Sequence, residues 1–393
     1  MGDSIRVLLV SPRLPLSDPR RCGDHTYTDM LLQHPPHKVK YLHYEDLLAS
    51  GGLRRIRRFQ ALTYYLSRGG MLPPDTWFEA IKTDFVPDII HIYGFSAVVQ
   101  VPRHGHRIPV ILGAGTGSYS DLKYYHGWSE SAIKRARLRK RIYLKALSAY
   151  DSSLCPESAA HVLTWSGFSR AMHLEEGYVL PSQISVLYPG LAVPETRVGR
   201  APDTGELTFL FVGSDFERKN GAVVLDAFRS VHARYPRARL IVIGQPRDGR
   251  IIAQDGIYHR PFVPRDELLG KIFPQADVLL LPSRAEGFGL VIVEAMALGI
   301  PTIAIDAWAM PEIIRDSENG FLVSDATAEN LADRMLRFAS NSELAVEMSE
   351  RCIDIFLEKF SLQVHNQQLA NVYANAMSTP VSQRRSMAGN VFA

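Results

Sequence analysis

The sequence predicts an α/β protein with two domains, each built on a doubly wound parallel sheet. The chain has 393 residues, a length typical of two or three domains. Short apolar runs that end in polar or glycine-containing loops are typical of buried parallel strands, and helical stretches separate these runs. Strands that alternate with helices form right-handed βαβ units. Ligands of such sheets bind beyond the carboxyl ends of the strands, so we expect a site in a cleft between the two domains.

The predicted elements fall into two sets along the chain. The first half has strand signals at residues 6–11, 88–93 and 110–115. The second half has strand signals at 207–214, 239–245, 277–283 and 302–306, and helix signals at 221–235 and 326–340. A Pro- and Gly-rich stretch, "VLYPGLAVPETRVGRAPDTGE", separates the two sets and indicates a linker. We therefore predict a first domain at 1–190, a linker at 191–206, a second domain at 207–360 and a disordered tail at 378–393.

Cysteine usage and hydropathy bear on the location of the protein. Cys22, Cys155 and Cys352 lie far apart and form neither a metal-ligand spacing nor a disulfide framework. This usage favours a reducing compartment, and we expect a cytoplasmic protein. The N-terminal apolar run is shorter than the core of a signal peptide, and no run approaches the roughly 18 apolar residues of a membrane span.

Positive charge is concentrated in the first half of the chain. Residues 1–190 carry 23 basic and 16 acidic side chains, whereas the whole chain has a net charge of only +3. Two segments, 52–70 and 131–147, interleave basic and apolar residues. The pattern fits a solvated helix face, an anionic acceptor, or a peripheral contact with an anionic lipid membrane at its inner face. The sequence contains no evident motif that reads or stacks bases, so no nucleic-acid partner is expected.

The stretch "SRAEGFGLVIVEAMALGIP", residues 283–301, places Glu286 and Glu294 among glycine and aliphatic residues. A buried carboxylate is costly unless something bonds to it. Gly287 and Gly289 permit a ligand to approach the backbone closely, and the helix predicted from Leu290 has free amides in its first turn. The spacing alone also fits a solvated loop glutamate and a helix-surface glutamate, because acids are normally exposed.

A second candidate loop follows the strand signal at 207–214. Arg218 and Lys219 stand side by side near the start of the helix predicted at 221–235. A helix N-terminus with adjacent cations favours anions such as phosphate groups. This loop and the stretch at 283–301 both lie at the carboxyl ends of predicted strands, where ligands of such sheets bind.

The second half of the chain resembles a known family. The segment "DVLLLPSRAEGFGLVIVEAMALGIPTIAIDAWAMPEIIRDSENGFLV" resembles the nucleotide-sugar-binding core of retaining GT-B glycosyltransferases, in family four of the glycosyltransferase classification (glycosyl transferases group 1). The glutamate pair of that core, E-x7-E, is present as Glu286 and Glu294. "FVGSDFERKNGAVVLDAF" resembles the phosphate-binding strand, loop and helix of the same family. "CGDHTYTDMLLQ" resembles its first glycine loop, and "FSLQVHNQQLANVYANAM" its last helix.

The resemblance implies a GT-B fold, in which two Rossmann-like domains face each other across a cleft. The donor would bind the second domain and the acceptor the first. The helix at 361–377 would cross back to the first domain. The implied reaction is the retaining transfer of a sugar from a nucleoside-diphosphate sugar, UDP- or GDP-linked, to an acceptor hydroxyl in glycolipid, polysaccharide or glycoconjugate synthesis.

The resemblance also implies roles for individual residues. Arg218 and Lys219 would neutralise the diphosphate leaving group, Glu286 would hold hydroxyls of the transferred sugar, and Glu294 those of the ribose. No cofactor and no metal are expected, because the sequence has no Asp-x-Asp motif to hold a divalent ion on the diphosphate. The other implied donor-binding residues are Gly23 against the diphosphate, Phe262 and Val263 near the base, and Gly213, Ser214, Gly287, Phe288, Gly289 and Leu290 in the two loops.

One position departs from the family pattern. Many relatives have a histidine after the fourth strand, facing the donor sugar, whereas this chain reads "VILGAGTGSYSDLKYYHG" there. His126 is too far along the chain to take that place, so either a backbone amide or Thr116 contacts the sugar, or the sugar sits differently. The alternative functions of a GT-B-like sugar-nucleotide epimerase and of a noncatalytic sugar-binding module therefore stay open.

Overall fold

The computed structural model describes residues 4–378 except for 19–20, 57–77, 95, 103–107, 115–122, 124–126, 148–149, 152–158, 178, 193–206, 248 and 250–254. The chain forms two compact units. The first contains the residues up to Arg13, those from Cys22 to Tyr188, and those from His365 onward. The second contains Leu14–Arg21 and Pro189–Val364. Most of the predicted linker, the tail beyond 378, and Thr116, His126 and Cys155 lie outside the described residues.

The first unit is built on a parallel sheet. Its strands, in chain order, are β1 (Ile5–Val10), β2 (Val39–His43), β3 (Leu53–Arg55), β4 (Phe78–Thr83), β5 (Ile89–Tyr93), β6 (Ser96–Gln100), β7 (Val110–Ala114), β8 (Tyr150–Asp151), β9 (His161–Thr164) and β10 (Ile184–Val186). Six of them form the main sheet in the order β10-β9-β7-β5-β1-β2. Strands β1, β5 and β7 confirm the three apolar runs predicted for this half. Apart from Ile5 and Arg6 at the start of β1, their described side chains are buried, because a parallel sheet is covered on both faces.

The described helices of the first unit connect these strands. They are α1 (Gly23–Gln33), α2 (Tyr44–Ala49), α3 (Glu130–Leu147) and α4 (Gly167–Glu175). Helix α1 joins β1 to the parallel strand β2, and α4 joins β9 to the parallel strand β10. These are the βαβ connections that the alternation of apolar runs and helices predicts.

A second, four-stranded sheet in the first unit was not predicted. Its order is β3-β4-β6-β8, and it mixes parallel and antiparallel pairs. The basic segment at 52–70 enters this sheet, because Leu53–Arg55 pairs with β4 as an antiparallel strand. The beginning of that segment is therefore a strand and not the face of a helix. Its remainder, residues 57–70, lies outside the described part of the chain.

The second unit is built on a six-stranded parallel sheet. Its strands are β11 (Thr208–Val212), β12 (Arg239–Ile243), β13 (Ile257–Arg260), β14 (Val278–Leu281), β15 (Thr302–Ile305) and β16 (Gly320–Val323). Their spatial order is β13-β12-β11-β14-β15-β16, which is the order of a doubly wound dinucleotide-binding sheet. The strand order reverses between β11 and β14, so the carboxyl ends of these two strands define the switch point where such sheets bind ligands.

Helices and one irregular segment complete the second unit. The helices are α5 (Gly221–Arg234), α6 (Leu290–Ala297), α7 (Met310–Ile313), α8 (Ala328–Ser340) and α9 (Ser342–Lys359). Between β13 and β14 the chain makes three short helical turns, Arg265–Glu267, Leu268–Ile272 and Phe273–Gln275. A core of buried aromatic and aliphatic side chains lies between the sheet and α5 and α8, and it includes Phe209, Phe228, Phe321 and Phe338. Strand β11 and helix α5, which flank the candidate phosphate loop, are thus fixed by packing on a common core.

The last described helix, α10 (Leu362–Ser378), packs within the first unit from His365 onward. Tyr373 is fully buried, and its hydroxyl lies 2.7 Å from Nδ1 of His91 and 3.0 Å from the hydroxyl of Tyr41. His365 donates from Nδ1 to the carbonyl oxygen of Tyr188 at 2.8 Å. These buried polar contacts attach the helix to the sheet of the first unit. Among the described helices, none combines the length and the apolar character that a membrane span requires.

Candidate functional site

The loops that follow β11 and β14 contact each other directly at the switch point of the second unit. The side-chain amide of Asn220 donates to the carbonyl oxygen of Pro282 at 2.8 Å. In return, Arg284 donates from Nε to Oδ1 of Asn220 at 2.6 Å, and its backbone N–H donates to the carbonyl oxygen of Arg218 at 2.8 Å. The two stretches that the sequence singled out separately therefore form one structure.

A left-handed residue shapes the first loop. Asn220 has φ 58° and ψ 38° and immediately precedes α5, a conformation that asparagine adopts more readily than most residues. Gly221 follows, and a Cβ at this position would lie 2.3 Å from the ring of Phe216. Only glycine fits this close approach of the helix start to the buried ring, so the loop returns sharply from β11 into α5. Arg218 and Lys219 lie on this sharp turn between β11 and α5.

Arg218 links the two loops through its guanidinium group. Its Nη1 donates to the carbonyl oxygen of Ala285 at 2.6 Å and to Oε2 of Glu286 at 3.2 Å. Its Nε donates to Oδ2 of Asp215 at 3.2 Å. The planar fork of an arginine suits several acceptors at once. The structure therefore brings together two of the predicted catalytic residues, Arg218 and Glu286, as a partly buried ion pair.

Lys219 lies beside this pair at the end of β11. Its Nζ donates to the carbonyl oxygen of Val212 at 3.1 Å. Burial lowers the pKa of Lys219, because the charged ammonium loses hydration, and Arg218 lowers it further. The carboxylates of Glu286, Glu294 and Asp215 oppose this shift without reversing it. Among the described residues the ammonium forms no ion pair, so an anion placed here would give it a directly bonded charged partner.

Glu294 lies on α6, and its side chain is only 10% exposed. Arg265, from the first helical turn after β13, donates from Nη2 to Oε1 of Glu294 at 2.5 Å. This ion pair compensates for the cost of burying the carboxylate of Glu294 among the aliphatic residues of α6. Within the described chain, the other oxygen of Glu294 accepts no hydrogen bond, which leaves it able to accept one from a ligand hydroxyl.

Glycines let the backbones of the site converge. Gly289 has φ +81° and precedes the first turn of α6. A Cβ at Gly213 would lie 2.7 Å from the ring of Phe211, and one at Gly244 would lie 2.1 Å from the carbonyl oxygen of Gly213. All three glycines are buried, and they let the ends of β11 and β12 and the start of α6 pack closely against neighbouring groups.

The remaining predicted residues fall in different environments. Ser214 is exposed, whereas Gly287, Phe288 and Leu290 are buried in the loop that leads into α6. Phe262 is 40% exposed and its neighbour Val263 is buried, both in the segment between β13 and Arg265. Gly23 belongs to the first unit, where it is the first residue of α1.

Three residues of this site were missed by the sequence interpretation. Asn220, Arg284 and Arg265 hold the loops and Glu294 in place. Asn220 directly follows Lys219 and Arg284 lies two residues before Glu286, so a search for partners in the two loops would have found them. Arg265 is 29 residues from Glu294, and only the fold brings the two together. No group of three or more histidine, cysteine, aspartate or glutamate side chains in the described chain is placed to hold a metal ion.

Comparison with solved structures identifies the class of fold. The chain superimposes on sucrose-phosphate synthase from Thermosynechococcus elongatus with a TM-score of 0.61 and 15% identity, over 94% of this chain and 98% of that one. It superimposes on Anabaena HepE in complex with UDP-glucose with a TM-score of 0.63 and 14% identity, over 94% and 100% of the two chains. The α/β fold with two Rossmann-like domains is that of GT-B proteins, and the predicted fold class is confirmed.

Residues 193–354 match the model of the family described as "Glycosyl transferases group 1". Over 158 residues it is 36% identical to a phosphatidyl-myo-inositol mannosyltransferase of Mycobacterium tuberculosis, covering 38% of this chain and 42% of the relative. Over 118 residues it is 34% identical to a D-inositol 3-phosphate glycosyltransferase of Corynebacterium aurimucosum, covering 30% and 28%. The matched part thus spans less than half the length of either relative.

Proposed function

We propose that the protein is a glycosyltransferase that moves a sugar from a nucleoside-diphosphate sugar, UDP- or GDP-linked, to an acceptor hydroxyl with retention of anomeric configuration. The observation that carries the proposal is the cluster of Arg218, Lys219 and Glu286 at the switch point of the second unit, with Glu294 on the adjoining helix. The match of residues 193–354 to the model of the glycosyl transferases group 1 family supports sugar transfer as the reaction. Retention rests on the resemblance of the E-x7-E core to retaining enzymes.

The cations account for the departure of the nucleoside diphosphate. Negative charge grows on the diphosphate as the glycosidic bond breaks, and cations already held in place stabilise that charge without reorganisation. Arg218 is oriented by Asp215 and Ala285, and Lys219 by Val212. The free amides of the first turn of α6 add to the positive potential. Two cations and these amides supply the charge stabilisation that a divalent ion would give, so we propose a site that works without metal or cofactor.

The carboxylates account for recognition of the sugars. The free oxygen of Glu294 would accept hydrogen bonds from the ribose hydroxyls, while Arg265 holds the other oxygen. Glu286 would accept hydroxyls of the transferred sugar, and its pairing with Arg218 couples sugar recognition to the diphosphate. A hydroxyl that binds between such groups is discriminated strongly, because its absence leaves buried polar groups without partners.

The proposal extends to the acceptor. The basic residues are concentrated in the first half of the chain, which favours an anionic acceptor such as a phosphate-bearing group or an anionic lipid. The names of the two curated relatives refer to an inositol phosphate and to a phosphatidylinositol. We propose a phosphate-bearing acceptor for this chain as well, used at the cytoplasmic face of a membrane with which the protein associates peripherally.

Release of nucleoside diphosphate from labelled nucleotide sugars tests the proposed function. We expect release from a UDP- or GDP-sugar to require an acceptor fraction, to persist in excess EDTA, and to be lost in Arg218→Gln. Glu347→Gln, at an exposed position of α9, is the matched control and should keep full activity. Failure to release or bind any nucleoside diphosphate would contradict the proposal. Activity that EDTA abolishes and magnesium or manganese restores would overturn its metal-independent part.

A further inference from the structure

The strand order of the first unit defines a ligand crevice of its own. In the order β10-β9-β7-β5-β1-β2, the chain leaves β1 towards β2 on one side and later returns to β5 on the other side. The order therefore reverses between β1 and β5, and the carboxyl ends of these two strands form the switch point at which such sheets bind ligands. The residues at this point are Ser11 and Pro12, which follow β1, and Gly94, which follows β5.

Asp24 brings a carboxylate to this switch point. It lies in the first turn of α1 and is half-buried. A Cβ at Gly94 would lie 2.9 Å from Cδ of Pro12 and 3.4 Å from Oδ2 of Asp24, so the loops that follow β1 and β5 meet at this carboxylate. Gly94 is exposed and has φ +78°, so the chain turns here without a side chain that would crowd Oδ2. The carboxylate therefore stands where a ligand of the sheet would lie.

Tyr93 fixes the orientation of that carboxylate. Its hydroxyl donates to Oδ1 of Asp24 at 2.7 Å. Its buried ring stacks on Trp165 with centroids 5.3 Å apart, and it lies across the end of β7, where a Cβ at Gly113 would be 2.3 Å from Cδ2 of the ring. Burial raises the pKa of Tyr93 and the charge of Asp24 raises it further, so the phenol stays a proton donor. The pair depends on the glycine at 113, which belongs to the stretch that departs from the family pattern.

A buried hydroxyl beside the pair has no hydrogen-bond partner. Val10 pairs with Ile92 in the parallel register, so the next residues, Ser11 and Tyr93, lie at neighbouring strand ends and on the same face of the sheet. Oγ of Ser11 is completely buried and, among the described residues, neither donates nor accepts a hydrogen bond. Such groups are rare and costly, and an ordered water or a ligand commonly satisfies them. The end of β1 therefore offers a hydroxyl to a ligand through one bridging water.

The chemistry of these groups indicates a ligand with hydroxyls. An ionised carboxylate only accepts hydrogen bonds, so Asp24 suits an O–H donor and repels a phosphate. The cation that follows β1, Arg13, is already engaged by carboxylates, because it pairs with Asp46 at 3.1 Å and with Asp29 at 3.8 Å. A hydroxyl of a sugar or another polyol can donate to Asp24 and accept, through water, from Ser11. The switch point therefore favours the uncharged, hydroxyl-bearing part of a ligand.

We propose that Asp24, at the switch point of the first unit, accepts a hydrogen bond from a hydroxyl on the sugar or polyol ring of the acceptor, with Tyr93 and Ser11 as positioning residues. We call these three residues the β1–β5 site. The inference deepens the proposed function, because it names the part of the acceptor that the first unit recognises. It rests on that function for the identification of the ligand as the acceptor. A phosphate of the acceptor would lie away from Asp24.

Saturation of the full chain with acceptor tests the site. Release of nucleoside diphosphate is measured at saturating nucleotide sugar while the amount of the acceptor fraction is varied. In Asp24→Asn, which keeps the size of the side chain, the half-saturating amount of acceptor should rise about 10- to 100-fold, the contribution of a hydrogen bond to a charged group. Asp88→Asn is the matched control, because Asp88 is also half-buried but precedes β5 at the opposite edge of the sheet. The control should saturate as the wild type does.

Two further variants separate positioning from a merely structural role. Tyr93→Phe should raise the half-saturating amount of acceptor about 3- to 10-fold, whereas Tyr41→Phe, which removes a hydroxyl that bonds to Tyr373, should leave it unchanged. Ser11→Ala should raise the unfolding temperature, because it removes an unsatisfied buried hydroxyl, and should still weaken saturation by the acceptor. An Asp24→Asn protein that saturates like the wild type would overturn the site. Equal losses in the two tyrosine variants, or normal saturation of Ser11→Ala, would overturn the positioning roles.

Binding in the absence of donor distinguishes this inference from the proposed function. Stabilisation by UDP or GDP should be the same in the wild type and in Asp24→Asn, which also shows that the variant is folded. Myo-inositol and methyl hexosides, as neutral polyols, should stabilise the wild type more than Asp24→Asn. A chain that shows this difference but binds no nucleotide would retain the β1–β5 site and lose the proposed function. A chain that transfers sugar, with equal acceptor saturation in the wild type and Asp24→Asn, would retain the function and lose the site. Absence of both transfer and the polyol difference would exclude both.

Discussion

Arg265 and Glu294 form an ion pair in which Nη2 of the arginine lies 2.5 Å from Oε1 of a carboxylate that is mostly buried. The arginine comes from the segment after β13 and the glutamate from α6, so the pair connects two elements that follow different strands of the sheet. A charge-assisted hydrogen bond of this kind holds the carboxylate in one orientation. Glu294 is thereby presented with one oxygen engaged and one available.

Replacing Glu294 should weaken nucleotide binding. In Glu294→Ala the ribose hydroxyls lose their acceptor and Arg265 loses its partner, so we expect the affinity for UDP or GDP to fall by about 1–3 kcal/mol. Titration calorimetry measures this change, and a double-mutant cycle with Arg265→Gln should give a coupling of about 0.5–3 kcal/mol in stability. Unchanged nucleotide affinity in a folded Glu294→Ala protein would exclude the ribose role.

The positive charge of Lys219 should strengthen nucleotide binding but lower the stability of the folded protein. Because burial lowers its pKa in the folded chain, the unfolded chain binds the proton more tightly. The stability of the wild type, relative to Lys219→Met, should therefore rise as the pH rises through the lowered pKa towards the ordinary lysine value of 10.5. The variant should nevertheless bind nucleotide more weakly by about 1.5–3 kcal/mol, the worth of a hydrogen bond to a charged group. Denaturant unfolding at a series of pH values checks the sign, and a relative stability that falls with pH would contradict it.

Gly289 should tolerate no side chain. Its φ of +81° lies in the left-handed region, and an added Cβ would lie 3.1 Å from Cε of Met310. We expect Gly289→Ala to destabilise the second unit by about 1–2 kcal/mol, the cost of that conformation for an L-residue. Gly270→Ala is the control, because a Cβ there meets nothing within 4 Å and its φ is ordinary. Equal unfolding midpoints for the two variants would refute the strain argument.

The buried histidines should make the docking of α10 sensitive to acid. Burial lowers the pKa of His91 to about 3 and that of His365 to about 4. Nδ1 of His365 donates to Tyr188, so Nε2 of the neutral ring accepts from Tyr27, and a second ring proton would break that contact. The unfolded chain binds more protons than the folded chain below the ordinary pKa of 6.5, so the stabilisation present above pH 6.5 is lost as the pH falls towards 4.

Hydrogen exchange of the α10 amides measures this effect. Protection should decline between pH 6.5 and 4 after correction for the intrinsic exchange rate. His365→Gln should reduce the slope of the decline, whereas His37→Gln, at an exposed position, should leave it unchanged. Protection that is constant across this range would show that the two buried rings do not control the docking.

The parts of the fold that the sequence predicts are those in which burial alone decides the structure. Strands such as Val278–Leu281 are apolar on both faces, because a central parallel strand is covered twice. Strand β13 (Ile257–Arg260), at the sheet edge, alternates half-buried and exposed side chains, and no strand was predicted there. The second sheet of the first unit depends on pairings of short strands that leave little periodicity, such as Tyr150–Asp151 with β6.

Part of the candidate site could also be predicted from the sequence, namely the residues in the loops that follow the strands. Glu286, Arg218 and Lys219 lie at strand ends, where the topology of a doubly wound sheet collects functional groups. Arg265, which pairs with Glu294, and Asn220, which bonds to Pro282, act through contacts that span 29 and 62 residues, and no local pattern encodes such contacts. For the two basic segments, sequence pattern alone could not distinguish compensated from uncompensated charge. That distinction required the positions of Asp84 and Glu79, which pair with Arg54 and Arg55.

The position of α10 has a consequence for the order of events during synthesis of the chain. The side chain of Tyr373 is enclosed beside His91, although 282 residues separate the two along the chain. The first unit therefore cannot complete its core when its own strands leave the ribosome, because a buried helix is still to be translated. The second unit, which ends at Val364, has all of its strands available earlier. The amino-terminal unit is thus the one whose folding finishes last, and in the nascent chain it is the one that chaperones would find incomplete.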